Sequence, residues 1–197
     1  MCSLVGHTLL PESAISALIT ELIPLGTVIT PNIWESELLL RKGVPADGTN
    51  ARKITNVTQQ MEAAEELSHL GCGGVLVKGG HLPLKLEDVK SGLTVAQAPG
   101  GAEVEIVWPQ DEGVLVLKLA AGLSAQEQAD LRFVVDVLYE AAVDGGRAQF
   151  TCFVSRVIPT TSTHGTGCTL SAALAVYLGR GLNCEYRASM LKCWHTS

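Results

Sequence analysis

Residues 163–174 read Thr163-His164-Gly165-Thr166-Gly167-Cys168-Thr169-Leu170-Ser171-Ala172-Ala173-Leu174. A polar turn punctuated by glycine runs without a break into an apolar helix of small residues. Gly165 and Gly167 remove side chains where a backbone needs φ > 0 or where a ligand comes close. The amides of Thr166 to Thr169 then point outward at a helix N-terminus, where unpaired N–H groups and the helix dipole favour an anion. Cys168 falls in the first helical turn, an electropositive place that favours a thiolate and makes it a candidate base. A glycine-rich loop ahead of a buried helix is the alternative, and G-x-G alone does not decide between them.

Working outward, Phe150 to Val157 reads as a strand with the polar interruptions of an exposed sheet. Leu131 to Ala142 is ambiguous: its spacing allows a helix, while Val134, Val135, Val137 and Tyr139 suit a strand. From Pro83 to Gln126 the pattern degrades into short β-rich pieces (Val104 to Val107, Val114 to Leu117) among Gly, Pro and charge, which predicts an insertion. Ahead of it, Gly74 to Val77 is a buried strand that delivers Lys78-Gly79-Gly80-His81. Thr55 to Leu70 predicts a helix, apolar at Met61, Ala64, Leu67 and Leu70 and stopped by Gly71. Lys42 to Thr55 is a polar surface loop.

Asn32-Ile33-Trp34-Glu35 opens a helix that Leu38 to Leu40 carry to Gly43, after a short strand at Val28 to Thr30. Pro11 to Ile23 is a helix with Glu12 in its first turn and Ile15, Leu18, Ile19 and Leu22 on one apolar face. Met1 to His7 resembles the tail of a buried strand entering a turn. This alternation of helix and strand predicts a parallel sheet with crossover helices. Ligands in such folds bind at the carboxyl ends of strands. Asn32 and Glu35, Lys78 to His81, and Gly165 to Cys168 all fall there or at helix starts.

Composition narrows the classes. The 197 residues are 47% hydrophobic and 17% charged, which suits an α/β domain with a sheet buried on both faces. A net charge of −6 argues against nucleic acid as a partner. No apolar run reaches the roughly 18 residues of a membrane span. Six cysteines (Cys2, Cys72, Cys152, Cys168, Cys184 and Cys193) form no C-x-x-C pair. With no basic and apolar leader, they predict reduced thiols in the cytoplasm.

Three sets of residues carry candidate chemistry. Asn32 and Glu35 lie three apart on one helix face, so an amide and a carboxylate could hold hydrated Mg²⁺. The same spacing makes a capping box. Lys78 could set a point charge against a phosphate or simply snorkel from a strand end. Gly79-Gly80 permits close approach of a nucleotide or makes a tight turn. There is no Walker A sequence, no G-x-S-x-G elbow and no H-E-x-x-H. His164 and Cys168 lack the further ligands a metal would need. An anion site, a Mg²⁺ helper and a lysine suit a small-molecule kinase, since phosphoryl transfer needs chiefly positioning and electrostatics.

Thr30-Pro31-Asn32-Ile33-Trp34-Glu35-Ser36-Glu37, Val75 to Leu82 and Thr163 to Ala173 together closely resemble the hydroxymethylpyrimidine/phosphomethylpyrimidine kinases of thiamine biosynthesis. These are members of the ribokinase-like superfamily. Val135-Asp136-Val137-Leu138-Tyr139 is similar to that family's strand before the glycine loop, which turns the ambiguous segment toward β. Gly6 to Leu10 is similar to its Ser-Gly-x-x-Leu-Leu turn.

The resemblance implies a ribokinase-like α/β fold with a mostly parallel sheet and helices on both faces. It implies ATP and Mg²⁺ as cofactors and a small pyrimidine as substrate. Gly165, Thr166, Gly167 and Cys168 would form the anion hole over the transferred phosphoryl group, with Cys168 as base. Lys78 would contact ATP phosphates, with Gly79, Thr163 and His164 beside the nucleotide. Asn32 and Glu35 match an N-x-x-E motif that organises Mg²⁺ and phosphate. A pyridoxal kinase, which shares the cysteine-containing loop, and a non-catalytic fragment are the competing expectations.

Residues 1–182 would be the C-terminal portion of the kinase domain, with 83–126 a variable insertion similar to that of fungal members. Residues 183–197 form an atypical tail. The family's N-terminal half, with most pyrimidine-contacting residues, has no counterpart in the 197 residues, and a homo-oligomer is one way to supply the missing strands.

Overall fold

A computed structural model describes residues 10–43, 53–93, 103–107, 131–142, 147–157 and 166–181. The segments 1–9 and 183–197, the Val114–Leu117 piece, most of the loop after Lys42, and Thr163 to Gly165 lie outside them.

The chain enters through α1 (Glu12–Ala17), a π-helical turn (Leu18–Leu22) and a 3₁₀ turn (Ile23–Leu25). The wider i→i+5 turn slips the helical phase by one residue. Leu22, expected on the apolar face, is therefore 60% exposed, and Ile23 takes its place in the core at 4%. Residues 28–32 then run as a short edge segment alongside β1 (Gly74–Val77), with parallel bridges Ile29–Val75 and Asn32–Lys78. Helix α2 (Ile33–Gly43) follows directly.

Helix α3 (Val57–Ser68) begins where the Asn56 side chain accepts from the Gln59 amide at 2.8 Å, a side-chain cap on one of the orphan donors. It ends at Gly71, whose φ of +96° is a conformation that glycine takes without the steric cost of a Cβ. Met61, Ala64 and Leu67 are buried as their spacing predicts. The expected insertion contains α4 (Leu86–Gly92), which the sequence reading missed, and β2 (Glu103–Val107). Leu131 to Ala142 resolves as strand β3 (Phe133–Glu140), followed by β4 (Gln149–Arg156) and α5 (Thr166–Gly179).

The named strands are ordered β1-β3-β4-β2. β3 pairs antiparallel with both β1 and β4, while β2 runs parallel to β4. The edge segment, β1, β4 and β2 therefore share one direction, and β3 alone opposes them. The sheet is mixed: two of the three pairings between its named strands are antiparallel. The expected mostly parallel sheet thus holds for the direction of the strands but not for their pairing, because β3 runs between β1 and β4 against both. Six consecutive residues of β4 are buried, including Thr151 and Ser155. This corrects the reading of β4 as part of an exposed sheet: its polar residues face α5's side and are covered.

Alternation sorts the core onto two faces. Val75, Val77, Val135, Val137, Phe150 and Cys152 pack with Met61, Ala64 and Leu67 of α3. On the other face, Leu76 and Phe153 pack with Leu170 of α5. Helices thus cover both faces, and the carboxyl ends of β1 and the edge segment come to lie near the start of α5.

Candidate active site

Lys78 leaves the end of β1 half-buried, and its Nζ donates to the Thr30 carbonyl at the end of the edge segment. Thr30 also reaches across to α5, its Oγ1 lying 2.7 Å from Ser171 Oγ. The Ser171 hydroxyl donates its one proton to the Gly167 carbonyl at 2.9 Å, so Thr30 is the donor in that pair. One residue thereby ties both the lysine and the helix start into a single arrangement. A Cβ on Gly167 would stand 3.4 Å from Lys78 Nζ, so the ammonium lies directly against the first turn of α5.

That juxtaposition sets two positive groups side by side. The first turn of a helix carries partial positive charge and outward N–H groups, and the ammonium adds a full charge beside it. An anion placed between Lys78 and the first turn of α5 would relieve the repulsion. Cys168 is exposed in that same turn as a free thiol. Thr166 opens the helix, whereas Thr163, His164 and Gly165 lie outside the described residues.

Asn32 and Glu35 make a complete reciprocal cap on α2. Asn32 Oδ1 accepts from the Glu35 amide at 2.9 Å, and Glu35 Oε2 accepts from the Asn32 amide at 3.0 Å. Glu35 Oε1, in contrast, is buried with no hydrogen-bond partner among the described residues. A buried carboxylate oxygen without a donor costs free energy and calls for a cation or a donor from beyond the described residues. It is a hard oxygen of the kind Mg²⁺ takes. The Asn32 side-chain oxygen already serves the cap, so Asn32 fits as the residue that holds Glu35 in place.

Trp34 and His81 stack beside this pair, ring centroids 4.2 Å apart. Desolvation pushes the His81 pKa below its ordinary value; the nearby Glu35 carboxylate opposes this and the Lys78 ammonium adds to it. Gly79 donates its amide to Asp136 Oδ1 at 2.7 Å. Thr30, Ser171 and Asp136 were not singled out as site residues from sequence. All three sit inside the quoted motifs, but the contacts that join Thr30 to Lys78 and Ser171, and Asp136 to Gly79, span 48 to 141 positions.

The fold defined by this sheet and its helices is the ribokinase-like one. It is similar to an ADP complex of Bacillus subtilis pyridoxal kinase (TM-score 0.57, 24% identity, 97% of this chain and 48% of that one). It is also similar to a phosphomethylpyrimidine kinase from Clostridium difficile (TM-score 0.55, 26% identity, 100% and 53%).

Within that fold the family is narrower. The profile of the phosphomethylpyrimidine kinase family matches residues 1–101 and 117–192, and the chain belongs to that family. Among curated relatives, the hydroxymethylpyrimidine/phosphomethylpyrimidine kinase of Escherichia coli is 30% identical over 192 residues, covering 98% of this chain and 49% of the relative. That of Rhizobium meliloti is 30% identical over 177 residues, covering 90% and 43%. THI21 of Saccharomyces cerevisiae, of the same description, is 31% identical over 169 residues, covering 85% and 21%. The chain thus spans between about a fifth and a half of the length of these relatives.

Proposed function

We propose that this chain carries the phosphate-handling part of an ATP-dependent kinase acting on hydroxymethylpyrimidine phosphate, and on hydroxymethylpyrimidine itself, in thiamine biosynthesis. The observation that carries the reading is the meeting of Lys78, the first turn of α5 and the exposed Cys168 thiol at one place, where an ammonium and helix N-terminal amides together favour an anion. Lys78, with Thr163 and His164, binds the ATP phosphates, while Gly79, whose amide is held by Asp136 and which abuts Val135, shapes the turn that presents the lysine. The Gly165-Thr166-Gly167-Cys168 amides receive the phosphoryl group in flight. An oxygen of the acceptor bonds to the γ-phosphorus as the bond to the bridging oxygen breaks and ADP departs. Where that oxygen is a hydroxyl, its proton passes to the Cys168 thiolate.

Mg²⁺, when bound, neutralises charge on the phosphate oxygens. Glu35 would hold it through the unpaired Oε1, with the Asn32 backbone amide fixing the carboxylate by donating to Oε2. Residues 1–182 are read as the C-terminal portion of the kinase domain, with 83–126 as its variable insertion and 183–197 as an atypical tail. The substrate is a small molecule; no helix among the described residues is long and apolar enough to cross a membrane.

A second reading has one observation in its favour. Helix α5 is apolar nearly all round, yet Val176 is 53% exposed and Leu178 38%. A helix of that kind is normally buried on every side. A chain that leaves it open would retain the anion site without completing catalysis.

Mg²⁺-dependent ADP release by the purified chain, with ATP and hydroxymethylpyrimidine phosphate, separates the two. Substrate-dependent release that Cys168→Ala abolishes, with ATP binding retained, supports the kinase reading. Equal release by both proteins removes Cys168 as base. No release from a folded wild-type sample favours the second reading, and preference for pyridoxal over the pyrimidine would reassign the substrate.

A further inference from the structure

The register of β1 against β3 pairs Gly74 with Glu140 and Val77 with Val137, so its next rung on the same side would set Gly79 opposite Val135. The amides of Leu76 and Lys78 face the edge segment, donating to Ile29 and Pro31. Alternation therefore turns Gly79 toward β3. That rung is replaced by side chains. The Gly79 amide goes to Asp136 Oδ1 at 2.7 Å. The Val135 carbonyl accepts from Gln60 Nε2 at 2.6 Å, and the same nitrogen donates to the Val77 carbonyl at 2.9 Å.

Gln60 is completely buried on α3, on the face of the sheet shared by Val77 and Val135. Asp136 follows Val135 in β3 and so projects from the opposite face. The turn carrying Lys78 and Gly79 is clamped from both sides where the ladder stops.

We propose that Gln60 is a positioning residue: by holding the Val77 and Val135 carbonyls it fixes the turn that aims Lys78 at the first turn of α5. This rests on the reading of Lys78 as a phosphate contact. Stability alone does not account for a glutamine here. Its Oε1 is buried without a partner among the described residues, and an unpaired buried acceptor costs about as much as two ordinary hydrogen bonds return. The orientation is nonetheless fixed, because a flipped amide would turn its oxygen against two carbonyl oxygens.

The test compares Gln60→Met, which keeps length and burial but removes the donors, with Met61→Val, which loosens the same helix without touching the turn. Steady-state kinetics on the folded proteins should show the ATP KM raised about tenfold in Gln60→Met, with kcat changed less. Met61→Val should leave KM unchanged at a comparable loss of Tm. Hydrogen exchange of the Gly79 amide, followed by NMR, should quicken about tenfold in Gln60→Met alone.

An unaltered ATP KM in folded, active Gln60→Met overturns the proposal. If wild type releases no ADP, the kinase reading fails separately, and Gly79 exchange decides: equal exchange in Gln60→Met and Met61→Val overturns the clamp. If Gln60→Met does not fold, Gln60→Leu removes the same donors at similar size, with quickened Gly79 exchange expected and unchanged exchange refuting the proposal.

Discussion

The Gly79-Gly80 pair gives the sharpest test of how this turn is built, because its two glycines differ in what surrounds them. A Cβ on Gly79 would stand 2.0 Å from the Val135 carbonyl oxygen, 2.9 Å from its carbon and 3.1 Å from its nitrogen. All three atoms are backbone, so no rotamer change relieves the clash. The two chains must part by about 1 Å before the oxygen contact becomes tolerable. A shift of that size strains the 2.7 Å bond from Gly79 to Asp136 and the 2.6 Å bond from Gln60 to Val135. Overpacking costs about 1–3 kcal/mol, and each weakened hydrogen bond adds about 1 kcal/mol.

Gly79→Ala should therefore lose about 3–5 kcal/mol, a large part of the roughly 5–15 kcal/mol that stabilises an ordinary domain. A Cβ on Gly80 meets nothing within 4 Å, and its φ is not in the left-handed region. Gly80→Ala should be neutral or gain up to about 1 kcal/mol through a less flexible unfolded chain. Urea titration followed by tryptophan fluorescence measures both. Equal midpoints for the two variants would refute the claim that close approach of β3, rather than a need for a flexible turn, requires the first glycine.

Two further outcomes follow from burial and charge. Cys168 is exposed, while Cys72 and Cys152 are buried; burial raises the Cys72 thiol and pushes Cys152 up to about 12. Iodoacetamide with peptide mapping should label Cys168 in the folded protein and reach Cys72 and Cys152 only in urea, since the thiolate is the reacting form. The His81 pKa lies below its ordinary value in the folded state, through desolvation first. The unfolded chain then binds the extra proton, so stability from this group is full above pH about 6.5 and is lost as pH falls toward the folded pKa. Tm measured from pH 7.5 down to 5 should fall more steeply in wild type than in His81→Gln; parallel profiles would count against this account.

What the sequence disclosed, and what it withheld, follows from the range of the interactions concerned. Helix α3 was readable because its apolar phase through Met61, Ala64 and Leu67 and its stop at Gly71 are local, although its start, read at Thr55, misses the cap at Asn56. The direction of β3 was not, since an antiparallel strand carries the same apolar alternation as a parallel one until its partners are known. The burial of Thr151 and Ser155 depends on what lies over the far face, which their own segment does not encode.

The site shows the same division within single residues. Asn32 and Glu35 have the spacing both of a capping box and of an acidic site, and the geometry separates the two by atom. One Glu35 oxygen closes the cap and the other remains buried without a partner among the described residues. Gly79 satisfies the expectation of a close approach, but what approaches is the protein's own strand. Long-range contacts decide such cases: Thr30 with Ser171 across 141 positions, and Gln60 with Val135 across 75. Polar caps, glycines and strand-end lysines serve the backbone and a ligand through the same hydrogen bonds and charges. A motif therefore identifies where chemistry can happen, and only the atoms left unpaired once the fold has taken its share indicate what a ligand must supply.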